Sequence, residues 1–136
     1  MYIPKEVIRI RDDIKSMKIR GAGTIARAGA KALAIAAEKY VGNKLSEFMK
    51  YMEYVANYIR SARPTAVSLP NAIMYVMNRL RKSNAKNIEE ARRILEEENE
   101  IREIHKEIAE KDVRIKELQK IKNRLEEEIN EKRDLL

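Results

Sequence analysis

All four glycines and all three prolines of this 136-residue chain lie before residue 71. From Asn71 onward nothing strongly breaks a helix. That distribution predicts a punctuated first part followed by one long helix. The boundary falls near Ser83-Asn84, where an apolar pattern gives way to one rich in Glu, Lys and Arg. Charge divides at the same place. Residues 1–83 hold 16 Lys/Arg against 6 Asp/Glu, and residues 84–136 hold 13 against 16, so the net +7 is +10 on one part and −3 on the other. Such a division implies two units with different tasks.

Alternating β-branched runs bounded by turn residues are nearly absent, whereas helical spacing is frequent. Val7, Ile10, Ile14 and Met17 form the stripe of a first helix, with Pro4 in its first turn. Ala22 to Tyr40 is rich in alanine, the best helix former, and reads as a second. A third runs from about Lys44 to Arg60 on an unbroken stripe that includes Leu45, Phe48, Met52, Val55 and Ile59. Pro64 biases Arg63 away from helix, and Ser68-Leu69-Pro70 opens a fourth carrying Ile73, Val76, Met77 and Leu80. The expected class is all-α: a small four-helix N-terminal bundle over residues 1–83, then a long coiled-coil-like helix over 84–136.

The second part obeys a heptad. With Ile94 at position a, the a sites are Ile94, Ile101, Ile108, Ile115, Lys122, Ile129 and Leu136. The d sites are Glu97, Ile104, Lys111, Leu118, Leu125 and Lys132. Ile at a with Leu at d favours a parallel dimer. A homo-oligomer through residues 94–136 is the expected assembly, because so regular a stripe needs a partner to bury it.

Composition removes several kinds of function. With no cysteine there are no disulfides, thiolate metal sites or cysteine nucleophiles. No run of 18 apolar residues exists, and the first 15 residues lack an apolar signal region, so a cytoplasmic location without membrane association is expected. Aromatic content is 5%, with one Phe and no Trp, which argues against a base-stacking platform. His105, the sole histidine, and the acidic runs Glu96–Glu98 and Glu126–Glu128 read as solvated helix surface, because successive helical side chains diverge. No metal site, cofactor or catalytic residue is assigned. The tyrosines at 40, 51, 54, 58 and 75 suit packing at the bundle edge.

Two segments have the chemistry to hold an anion. In Lys18-Ile19-Arg20-Gly21-Ala22-Gly23-Thr24 two glycines allow close approach to the amides that open the second helix, and Arg20 adds a forked donor. Walker-loop spacing is missing. In Arg63-Pro64-Thr65-Ala66-Val67-Ser68-Leu69-Pro70-Asn71 the donors Arg63, Thr65 and Ser68 sit in a proline-bracketed loop. Taken singly, each segment also reads as an ordinary turn, the second with Ser68 or Asn71 as a helix cap.

Together the segments carry a resemblance. Residues Ile10–Leu33, "IRDDIKSMKIRGAGTIARAGAKAL", followed by Ser61–Ile73, "SARPTAVSLPNAI", are similar to the N-terminal helical domain of archaeal ribose-1,5-bisphosphate isomerase. Methylthioribose-1-phosphate isomerase and the alpha, beta and delta subunits of initiation factor 2B share that family. The resemblance covers about residues 5–83. It implies that Arg20, Gly21, Ala22, Gly23 and Arg63 hold a phosphate of a sugar substrate. It assigns the aldose-to-ketose step to a Cys and an Asp of a second, Rossmann-like α/β domain. This sequence has no cysteine, and beyond Asn84 it continues as heptads. The expectation is a truncated or split family member that retains the phosphate-binding domain, lacks the catalytic one and is inactive alone. Its partners would be a sugar phosphate and either a second copy or a full-length relative. A basic nucleic-acid-binding or structural module dimerised by the second part is the alternative. It ranks lower because the basic residues are spread over several helices and no nucleic-acid motif is present.

Overall fold

The computed structural model describes residues 1–135. It contains five helices: α1 (Lys5–Lys15), α2 (Ala22–Lys39), α3 (Leu45–Arg60), α4 (Ser68–Lys82) and α5 (Ile88–Asp134). The all-α class is as the sequence predicts. The chain divides into two compact units, Met1–Arg102 and Glu103–Leu136.

In the first unit the helix axes alternate in direction. Lys39, at the end of α2, donates to Glu6, at the start of α1, at 2.8 Å. The connection from α2 to α3 is short, and Tyr40 packs edge-on against Phe48 with ring centroids 5.3 Å apart. At the other end Arg11 of α1 reaches the Tyr58 carbonyl at the end of α3. The α4 axis then runs alongside α2. A Cβ on Gly29 would stand 3.1 Å from both Leu69 Cδ1 and Ile73 Cδ1. The missing side chain is what allows that approach.

The core is built from the periodic residues. Val7 and Ile14 of α1, Leu33 of α2, Phe48, Met52 and Ile59 of α3, and Leu69, Ile73 and Met77 of α4 are all buried. Met17 is the exception in the first stripe. Helix α1 ends at Lys15, and Met17 takes a left-handed φ of 67° and is exposed.

The first unit also takes in the opening turns of α5. Ile88, Ala91, Leu95 and Glu98 are buried there. Arg92 closes the carbonyl end of α2 by donating through Nε to the Ala37 carbonyl at 2.7 Å and through Nη2 to that of Tyr40. A forked cation is well matched to orphaned carbonyls. Glu98 receives Nε of Arg79 at 3.0 Å. Arg102 stacks over the Tyr75 ring at 5.7 Å.

In the second unit every described residue from Glu103 to Leu135 is exposed. The helix carries its own ion pairs, among them Lys116–Asp112 at 3.1 Å and Lys122–Glu126 at 3.9 Å. The expected a site Leu136 lies outside the described residues. No helix of the described residues is long and apolar enough to cross a membrane.

Candidate functional site

The alternation of helices puts two connections at one end of the first unit: residues 16–21, between α1 and α2, and residues 61–67, between α3 and α4. The two anion-suited segments of the sequence are these connections.

At the first, Gly21 is the residue before α2, with φ 91° and ψ 136°. Only glycine adopts that conformation without strain. Its carbonyl accepts from the Ile25 amide at 2.9 Å, which closes the first turn. The amides of Ala22, Gly23 and Thr24 precede that bond and have no intrahelical acceptor. No side chain caps this helix, and its first turn holds no acidic residue. Arg20, Gly21, Ala22, Gly23 and Thr24 are all exposed. Arg27 curls back so that Nη2 donates to Thr24 Oγ1 at 3.3 Å. The open end of α2 thus has amides, partial positive charge and two guanidinium groups, at 20 and 27.

At the second, Arg63 lies in the break after α3 and is partly buried. Its carbonyl accepts from the Ala66 amide at 3.0 Å, which shapes the turn through Pro64-Thr65. Neither Ser68 nor Asn71 caps α4. Val67 precedes the helix with helical angles and no side-chain cap bond forms, so the Ser68 and Asn71 cap reading is corrected. The chain enters α4 through turn geometry already close to helical, which leaves no extended residue for a cap to occupy.

Beside this loop lies an open basin of about 650 Å³ lined by Asn57, Arg60, Ser61, Pro64 and Pro70. Arg60 donates to Asn57 Oδ1 at 2.6 Å, which holds its guanidinium on the basin wall. Sequence reasoning missed Arg60. The signal was its place in Arg60-Ser61-Ala62-Arg63, where a last-turn arginine precedes the loop arginine by three residues. Arg11, also missed, braces the loop from α1 through its bonds to Tyr58 and Ser61.

The site's chemistry is that of an anion acceptor: free amides, glycine access and arginines, with no carboxylate in the first turn of α2 to compete. Comparison with known proteins agrees with the motifs. Residues 18–133 match the initiation factor 2 subunit family. The chain belongs to that family. It is 47% identical over 94 residues to ribose 1,5-bisphosphate isomerase of Thermococcus kodakarensis, covering 68% of this chain and 29% of that protein. It is 51% identical over 77 residues to the Pyrococcus furiosus enzyme of the same name, covering 57% of this chain and 24% of that one. The solved structure of translation initiation factor eIF-2B subunit delta from A. fulgidus superposes with a TM-score of 0.65 at 30% identity, over 71% of this chain and 28% of that one. The chain spans about a quarter of the length of the isomerases it resembles.

Proposed function

We propose that residues 1–102 bind a phosphorylated sugar, with ribose 1,5-bisphosphate as the first candidate. The phosphate would rest on the open end of α2, held by Arg20 and the Gly21-Ala22-Gly23 backbone, with Arg63 approaching from the neighbouring loop. The observation that carries this reading is Gly21 at φ 91° before an uncapped helix. That geometry leaves first-turn amides free within the residues 18–133 that match the initiation factor 2 subunit family. A doubly negative phosphate satisfies several such donors at once.

The chain has no cysteine. The aldose–ketose step that the resemblance assigns to a Cys/Asp pair therefore falls outside it. Its role is to bind, alone or with a full-length relative that supplies the reacting groups.

Titration calorimetry with ribose 1,5-bisphosphate tests the reading. Binding is expected, and Arg20→Ala and Arg63→Ala should each weaken it by about tenfold or more, the worth of one charge-assisted contact. Absence of heat with the unaltered protein, or identical affinity in both variants, overturns it.

A further inference from the structure

We propose that residues 108–132 of the second unit pair with the same segment of a second copy of this chain, and that the two helices run antiparallel with Leu118 of one across from Lys122 of the other. This goes beyond the phosphate reading and does not depend on it.

The first support is area. Six aliphatic side chains on or beside the a/d seam, from Ile108 to Ile129, are 42–59% exposed. At roughly 75 Å² each they offer on the order of 450 Å² per copy. The stems of the flanking lysines and arginines extend this toward the roughly 800 Å² per partner of a stable interface. The charge is also suitable: residues 103–135 carry 9 Lys/Arg and 10 Asp/Glu, so two copies do not repel through net charge.

The orientation follows from the lysines. Lys111, Lys122 and Lys132 occupy seam positions. In a parallel, in-register dimer each would face its own copy, giving three like-charged layers. That cost outweighs the preference that Ile at a and Leu at d give for parallel pairing. In an antiparallel pair, a residues face d residues instead. With Leu118 across from Lys122, Lys111 falls against Ile129, Ile115 against Leu125 and Ile108 against Lys132. Every lysine then lies along an apolar neighbour with its ammonium free to reach water.

The flanks choose the same register. Ile121 is 42% exposed beside the seam, where a parallel partner would set Glu126 against it. Here it meets Ile121 of the other copy at the two-fold axis, and Arg114 faces Glu128. On the opposite flank Asp112 faces Glu126, but each carboxylate already has its own lysine, Lys116 and Lys122. Sliding the antiparallel pair one heptad toward the N-terminus brings Lys111 against Lys122, and one heptad the other way sets Ile121 against Glu128. Sliding it by two toward the N-terminus sets Arg114 against itself and Ile121 against Glu107.

The cysteine-free sequence makes the test direct. Sedimentation equilibrium of the full chain should give twice the 15.9 kDa chain mass. Ile115→Glu should return it to a monomer whose first unit keeps its melting transition. The variants Leu118→Cys and Lys122→Cys are then mixed in a glutathione redox buffer and the disulfides weighed. The mixed disulfide should exceed its statistical share. A monomeric parent, a predominance of the two same-variant disulfides, or a dimer that forms no cross-link at these positions each overturns the proposal.

Discussion

The guanidinium carbon of Arg11 lies 4.7 Å from the centroid of the Tyr58 ring, and its Nε donates to the Tyr58 carbonyl at 3.1 Å. One side chain of α1 thus grips both the face of a ring and the backbone that carries it. Its Nη2 also reaches Ser61 Oγ at 3.2 Å, two residues before Arg63. With 19% of the side chain exposed, most of the contact is shielded from water. Arg11→Ala should cost about 1–2 kcal/mol in urea denaturation, from the stacked cation and the lost carbonyl bond. Arg11→Lys should recover only part, because an ammonium cannot stack and fork at the same time.

Gly21 and Gly23 should respond differently to alanine. Gly21 sits at φ 91°, and a Cβ there meets nothing nearer than Thr24 Oγ1 at 3.9 Å. The obstacle is conformation, not space, so Gly21→Ala should destabilise by about 1–3 kcal/mol. Gly23 is helical, and its added Cβ would meet only the mobile Nη1 of Arg27 at 3.3 Å. Gly23→Ala should be neutral or stabilising by up to about 1 kcal/mol, because alanine favours helix. Equal losses in thermal denaturation would contradict the distinction.

The α2–α4 contact makes a sharper demand. Both Leu69 Cδ1 and Ile73 Cδ1 stand 3.1 Å from the position of a Cβ on Gly29. Gly29→Ala should cost about 1–2 kcal/mol through overpacking, and Gly29→Leu more. Chemical denaturation reads both.

Stability should depend on pH through Glu6 and Lys39. The Lys39 ammonium holds the Glu6 carboxyl below its ordinary 4.5. The carboxylate in turn holds Lys39 above its ordinary 10.5. A depressed carboxyl stabilises above its unfolded pKa and loses that effect as pH falls through the folded value. A raised ammonium stabilises below its unfolded pKa and loses the effect as pH rises through the folded one. The difference in melting temperature between the native protein and Glu6→Gln should therefore be flat between these limits. It should shrink below 4.5 and above 10.5, and salt should reduce it because the pair is exposed.

Leu95 is 1% exposed, whereas Ile115 on the same helix is 54% exposed. Leu95→Ala should cost about 2–4 kcal/mol of first-unit stability, and Ile115→Ala should leave that transition unmoved. Differential scanning calorimetry separates the two.

The helices were legible because their stripes are regular. The ranges of α2 and α3 emerge within a residue of those expected, since Gly21 and the Tyr40–Asn43 stretch punctuate them chemically. Met17 was misread because its spacing continues the α1 stripe while the backbone has already turned. The opening of α5 was harder. Ile88, Ala91, Leu95 and Glu98 repeat by 3, 4 and 3, offset from the heptad that begins at Ile94. Two stripes share one helix, and the longer one masked the shorter. In the candidate site Gly21, Gly23 and Arg63 stood out through the family resemblance of their two segments, since each segment taken singly also reads as a turn. Arg60 left only its three-residue spacing from Arg63 as a signal, and Arg11 left none, because its contacts to Tyr58 and Ser61 are hidden by sequence distance.

Arg92 sits on the carbonyl terminus of α2, so that helix has one sealed extremity and one bare one. The two tolerate different histories. Substitutions around the sealed extremity are felt first by the integrity of the fold. Those around the bare one change exposed amides and arginines while the scaffold stands. A lineage could thus vary the chemistry of a handful of residues between Arg20 and Arg27 without rebuilding the helices that present them.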